Sequence, residues 1–385
     1  MNLSHSYSRD PRLDFFRGLA LLCIFVDHAP GDRLTDYTIR NLGFSDASEL
    51  FVFISAYAAG LVYTTRERRE GLAAVSRRIL QRVLQIYSSH IVLLVIVCVL
   101  AGWLTRVLRD PQFVQGLNVG PFLANPQEVF LQALALTFQP TFMNILPLYV
   151  VLLAFLPLML WLIRRSALLA FGLSFGLYVA AREWPEYVHG PFGPIWQFNP
   201  LAWQLLFVIG ATLGAFASQG HPPVPRSRVL WVLAATYAVA AFWIGPAAWT
   251  YDGSTIVLPG ALHSILFPVM ERANLSLWRL AHILALTYLV TWFLPSNSVL
   301  FRWRGSQPLI LMGQHSLPLF CIGVLLSIAG WVALARLGGT LALQIAVNVG
   351  GFAIMVAVAW LLSLRTRPSR VAATPAEPDA VRRPA

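Results

Sequence analysis

From Leu13 to Leu362, apolar runs of roughly 17 to 25 residues follow one another with no soluble stretch of domain length between them, and that is the length a helix needs to cross hydrocarbon. A chain written this way has few folds open to it. Backbone N–H and C=O groups in lipid must be satisfied internally, which leaves helices or a closed barrel; the runs are continuous rather than alternating, so helices are indicated. Composition agrees: 57% of the 385 residues are hydrophobic and 12% are charged, against about 25% charged in ordinary soluble domains. The expected fold class is all-α, a polytopic membrane protein of about ten transmembrane helices in one bundle, with residues 1–364 as a single domain. The Pro-, Ala- and Arg-rich stretch 365–385 has no apolar period and is expected to be a disordered tail.

The net charge of +11 invites a nucleic-acid partner, and the arrangement of that charge argues against one. All 28 basic residues are Arg, gathered at the ends of apolar runs as the positive-inside rule expects. The helices are placed at about Leu13–Ala29, Ala47–Thr65, Val83–Leu104, Ile145–Ile163, Ala167–Ala181, Leu201–Ala217, Val229–Gly245, Ser276–Leu294, Pro308–Val332 and Leu341–Leu364. With both termini cytoplasmic, 20 Arg fall inside and eight outside: Arg33, Arg40, Arg106, Arg109, Arg182, Arg272, Arg279 and Arg336. That asymmetry selects this orientation over its inverse. The apolar part of the long outer segment, Val129–Phe138, is short and Pro-bounded, and reads as interfacial or re-entrant. Asp27-His28-Ala29-Pro30 replaces any small-residue cleavage site after the first run, so that run is expected to be a retained helix. Cys23, Cys98 and Cys321 each sit inside an apolar run and imply no disulfide framework. No internal repeat stands out, which weighs against a transporter built from duplicated halves.

Ionisable residues near hydrocarbon cost roughly 2.5 to 3.5 kcal/mol on insertion scales and persist where they line a cavity or meet a partner. The stretch Asp14–Tyr57 concentrates them. Arg17 and His28 are eleven residues apart, on one helix face and roughly 16 Å apart along the axis, so one groove could touch both. Two readings stand for the pair: a site spanning the membrane, or an Arg17 that snorkels to headgroups and a His28 that satisfies an interfacial hydrogen bond. Histidine, with an ordinary pKa near 6.5, suits taking a proton from a nucleophile and returning it to a leaving group. Asp27 lies about 100° around the helix from His28. Asp46 and Glu49 open helix two on one face, where Asp46 is either a helix cap or a His28 partner and Glu49 is the better candidate partner.

Gln139, Asn144, Arg279, His282, Gln314 and His315 are polar residues in apolar surroundings, each either a helix-to-helix hydrogen bond or part of a site. His90 and His263 read as core or loop residues. No metal-binding spacing occurs, so no metal centre is expected.

Arg17, then ten residues, then His28, followed by Glu49-Leu-Phe-Val-Phe-Ile-Ser55-Ala-Tyr57, resembles the integral-membrane acyltransferases of the acyltransferase-3 kind. Within them the chain is similar to the OpgC-type succinyltransferases of osmoregulated periplasmic glucans, through Asp14-Phe-Phe-Arg-Gly-Leu-Ala-Leu-Leu, Asn41-Leu-Gly-Phe-Ser-Asp-Ala-Ser-Glu49, Gln139-Pro-Thr-Phe-Met-Asn-Ile-Leu-Pro-Leu-Tyr149, Phe198-Asn-Pro-Leu-Ala-Trp-Gln204, His282-Ile-Leu-Ala-Leu-Thr-Tyr288 and Gly313-Gln-His-Ser-Leu-Pro318.

The resemblance implies a ten-helix inner-membrane enzyme that moves an acyl group from cytoplasmic acyl-coenzyme A, a co-substrate rather than a tightly bound cofactor, to a periplasmic glucan. His28 would be the catalytic histidine, oriented by Glu49 or Asp46 with Asp27 nearby. Arg17, Arg66, Arg78 and Arg82 would receive the coenzyme phosphates, and Gln139, Asn144, Arg279, His282 and His315 would meet the substrate. Transfer is either direct or through a transient acyl-histidine. An acetyltransferase of another envelope polysaccharide and a non-catalytic glycan carrier or flippase are the alternatives. Ala56 stands where the broader group has Gly, which puts close helix packing there in question.

Overall fold

The computed structural model describes residues 10–184, 196–220, 224–249 and 271–366. His263, most of the loop 246–275 and residues 367–385 of the expected tail lie outside them. The described residues form helices and connecting turns with no strand. In chain order the α-helices are α1 Pro11–Asp27, α2 Ala47–Glu70, α3 Leu72–Leu108, α4 Gln112–Gly116, α5 Gly120–Ala124, α6 Pro126–Leu134, α7 Ile145–Arg165, α8 Ala167–Glu183, α9 Pro200–Ala217, α10 Arg228–Trp249, α11 Leu277–Phe293, α12 Gln307–Gln314, α13 Ser316–Leu337 and α14 Leu341–Thr366.

Each segment expected to span is helical, and seven helices (α2, α3, α7, α9, α10, α13 and α14) are long and apolar enough to cross a membrane by length and composition. Helices α1, α8 and α11 have 17 residues each. Three expectations are corrected. Helix α3 runs unbroken for 37 residues, about 56 Å at 1.5 Å per residue, so its Arg77, Arg78 and Arg82 ride on an extension of the helix. The ninth expected helix is two, α12 and α13, broken at His315. Pro318 explains the break, because in a continuous helix its ring would collide with the carbonyl of Gln314 four residues earlier. At the carboxyl end, α14 carries the helix through Arg365, the residue at which the tail was expected to begin.

Small residues set the centre of the bundle. A Cβ added to Gly60 of α2 would lie 2.0 Å from the Ala211 carbonyl oxygen of α9, and one on Gly214 of α9 would lie 2.0 Å from that of Tyr57 on α2. Gly210 and Gly214, four apart on α9, and Ala56 and Gly60 on α2 form facing small-xxx-small pairs that let two backbones touch. Gly210 supplies the clearance at Ala56, whose Cβ would be 2.9 Å from a Cβ on Gly210. The Ala in place of Gly therefore leaves the close approach intact. Helices α1 and α12 meet in the same way, Gly18 against Leu309 and Gly313 against Asp14. Around this centre α10 and α14 turn side chains such as Trp243 and Val349 outward, an apolar girdle suited to lipid.

Local signals fix where the first two helices start. Asp10 caps α1 by accepting from the Arg12 N–H, with Pro11 at the first helical position. Asp46 caps α2 in a reciprocal box: it accepts from the Ser48 N–H at 2.7 Å, while Glu49 reaches back to the Asp46 N–H at 2.9 Å. That box sets the turn that enters the site.

Candidate functional site

His28 sits one residue beyond α1, as its C-cap, with φ −101° and ψ 10°. Its Nδ1 makes a hydrogen bond with the Ile24 carbonyl one turn back. A carbonyl oxygen only accepts, so Nδ1 carries a proton, and in the neutral ring Nε2 keeps its lone pair. The imidazole is packed edge-on against Phe142, ring centroids 4.7 Å apart. These two contacts hold the ring in one orientation.

His28 lines a cavity of about 210 Å³ with Asp27, Arg40, Asp46, Asn144 and Arg272 among its polar walls. Asp27 and His28 both line the cavity, although neighbours on a helix point about 100° apart. The Asp27 carboxylate accepts from the hydroxyls of Thr35 at 2.9 Å and Thr38 at 2.7 Å. Asn144 donates to Gln197 at 2.7 Å, and its own Oδ1 is buried without a hydrogen-bond partner. Asp46 is bridged by Arg272 at 2.8 Å and by Arg279 at 3.2 Å. Burial alone would raise the Asp46 carboxyl, but the Arg272 and Arg279 guanidiniums and the Ser48 N–H outweigh it and hold it below the usual carboxylate range.

The expected orienting partner of His28 is corrected by this geometry. Glu49 is fully buried and turned to Arg279, whose Nε and Nη2 both lie 2.6 Å from Glu49 Oε1, because the capping box folds its other oxygen back to the Asp46 backbone. Asp46 does line the histidine cavity, and it is also the helix cap. Arg279 and His282, one turn apart on α11, sit behind the cavity and not in its lining. His282 Nδ1 accepts from the Ser45 N–H at 3.1 Å and lies 2.7 Å from the Ser45 hydroxyl. Together they clamp the turn 43–46 that presents Asp46, so they position the site and do not form its surface. Gln139 donates to the Leu136 carbonyl at 2.9 Å and stays outside both cavities, as does His315 at the α12–α13 break.

A second cavity, of about 200 Å³, is lined by Arg17, Arg82, Tyr63, Ser55 and Ser316 among others. Arg66 and Arg78 are exposed at the α2–α3 end, with Arg78 held to Glu70 at 2.9 Å, and they do not line it. Arg17 and His28 therefore face two neighbouring cavities and not one groove. Among the described residues, Phe320 of α13 is the side chain common to both linings.

Sequence reasoning passed over Arg40, Arg272, Phe142 and Phe320. The two arginines carried a signal: both belong to the eight on the arginine-poor side, where the positive-inside rule gives no reason for them. Phe142 and Phe320 carried none, since an aromatic residue in an apolar run reads as core.

Fold and site together define a helical membrane protein with a polar cavity built around one histidine. The chain belongs to the OpgC protein family, whose model matches residues 9–367. Membership implies a transferase acting on glucans, with a role in the modification of osmoregulated periplasmic glucans. No curated protein and no solved structure matches the chain.

Proposed function

We propose that this protein is an inner-membrane O-acyltransferase of the acyltransferase-3 kind that moves an acyl group, succinyl above others, from cytoplasmic acyl-coenzyme A to a hydroxyl of a periplasmic glucan. The observation that carries the reading is the contact between the Arg17 cavity and the His28 cavity at a single side chain. The donor enters on the Arg17 side, where Arg17 and Arg82 offer guanidinium forks to phosphate. The acceptor enters on the His28 side, where the open acceptor atom Asn144 Oδ1 takes a hydrogen bond from a sugar hydroxyl. His28 Nε2 removes the proton of the reacting hydroxyl as its oxygen bonds to the acyl carbon; the C–S bond breaks, and the departing thiolate recovers that proton from the imidazolium. Asp27 and Asp46 in the same cavity favour the transient positive charge on the ring. Arg40 and Arg272, also in that cavity, suit the free carboxylate of a dicarboxylic acyl group, which supports succinyl over acetyl.

Reconstituted protein supplied with succinyl- or acetyl-coenzyme A and isolated glucan tests this. Release of the coenzyme thiol matched by mass gain on the glucan is expected, larger with succinyl. Glucan binding with no consumption of either donor would instead support a carrier or flippase.

A further inference from the structure

Three helices give nearby residues to both sides of one boundary. Helix α7 places Ile145 in the histidine cavity and Leu146 in the arginine cavity, and α2 divides between Ser48 and Phe51. On α13 the first turn, Ser316 and Leu317, belongs to the arginine cavity, and Phe320, one turn on, belongs to both. Phe320 is thus, among the described residues, the one side chain that borders both spaces. Phe320 is 3% exposed, and it stands just past the α12–α13 break, so its place depends on the interruption that Pro318 forces.

Resting on the acyl-transfer reading, the geometry points to Phe320 as the specificity-determining residue of that reaction: the acyl group passes this ring to reach His28, and the ring limits its size and keeps water from the histidine cavity off the thioester. An aromatic side chain turns between staggered χ1 wells without backbone movement, so it can admit an acyl group and then refill the opening. Shielding matters because a thioester and an activating base in one wet space invite the side reaction. In that reaction a water oxygen bonds to the acyl carbon as the C–S bond breaks, giving the free acid, and the thiolate takes the remaining proton. An apolar ring at the junction opposes water, whereas the charged side chains in each cavity attract it.

The test compares wild type with Phe320→Ala, Phe320→Leu and Phe320→Trp in lipid nanodiscs, using acetyl-, succinyl- and glutaryl-coenzyme A. Thiol release is measured with and without glucan, and the melting temperature of each variant is recorded. Phe320→Ala is expected to raise glucan-independent thiol release and to improve the use of glutaryl relative to succinyl roughly tenfold, about the selectivity a methylene-sized change in a pocket confers. Phe320→Trp is expected to keep donor binding and lose transfer. Phe320→Leu, which keeps apolar bulk, should fall between wild type and Ala and carries the comparison if Ala does not fold. Variants that fold and keep the wild-type acyl preference and the wild-type ratio of hydrolysis to transfer would overturn the assignment of Phe320 while leaving the transferase standing. A wild type that consumes no donor would overturn the transferase reading and this assignment with it.

Discussion

Arg17 and His28 belong to one helix and its cap, eleven residues apart, yet they open into different cavities whose linings meet at Phe320. A single rigid element therefore fixes the separation between the Arg17 guanidinium and the His28 imidazole. Its register against α12 is held by Gly18 and Gly313, where neither helix has room for a side chain.

Arg279 is expected to be the most sensitive residue outside the cavities. It is fully buried between Glu49 and Asp46, and removing one partner of a buried ionic cluster costs about 3–5 kcal/mol because the remaining charges are stranded. Arg279→Ala should lower the melting temperature and the folded yield sharply. Arg279→Lys should recover part of the loss, since it restores charge without the fork.

Gly214→Leu should separate α2 from α9. The added side chain would have to displace the Tyr57 carbonyl of α2, a backbone atom that cannot rotate away, so the cost should be at or above the ~1–3 kcal/mol usual for overpacked cores. Thermal unfolding in detergent checks it; the exposed position Val349→Leu on α14 is the control and should be neutral.

Asn144→Ala should weaken glucan use and spare the donor. One hydrogen bond is worth about 0.5–1.5 kcal/mol, so KM for glucan is expected to rise up to roughly tenfold while KM for acyl-coenzyme A stays put. A change in the donor KM alone would place Asn144 outside the acceptor site.

Asp46 links the site to acid stability. Its folded carboxyl is held below the ordinary value, so it contributes stability that is fully present above the unfolded value of about 4 and is lost as pH falls below it. Melting temperature should drop in that acid window for wild type, and less steeply for Asp46→Asn, which starts lower at neutral pH.

The helical class and the segment positions were legible because a bilayer makes hydrophobic length an almost sufficient signal. That His28, Asp27, Asp46 and Arg17 line cavities was legible because polar groups in apolar runs are costly. What the sequence hid is partnership: the Glu49–Arg279 contact joins positions 230 residues apart, and no local rule connects them. The same holds for Phe320, which looks like core in one dimension and borders two cavities only when α1, α2, α7 and α13 converge. Helix periodicity also misled at His28, where it was carried one residue past the end of the helix.

The most direct measurement is the mass spectrum of periplasmic glucans from cells carrying either the wild-type protein or His28→Ala, with both proteins present in the membrane at equal level. Acyl-substituted glucan is expected with wild type and none with His28→Ala. Equal substitution in the two strains would contradict the proposed role of His28.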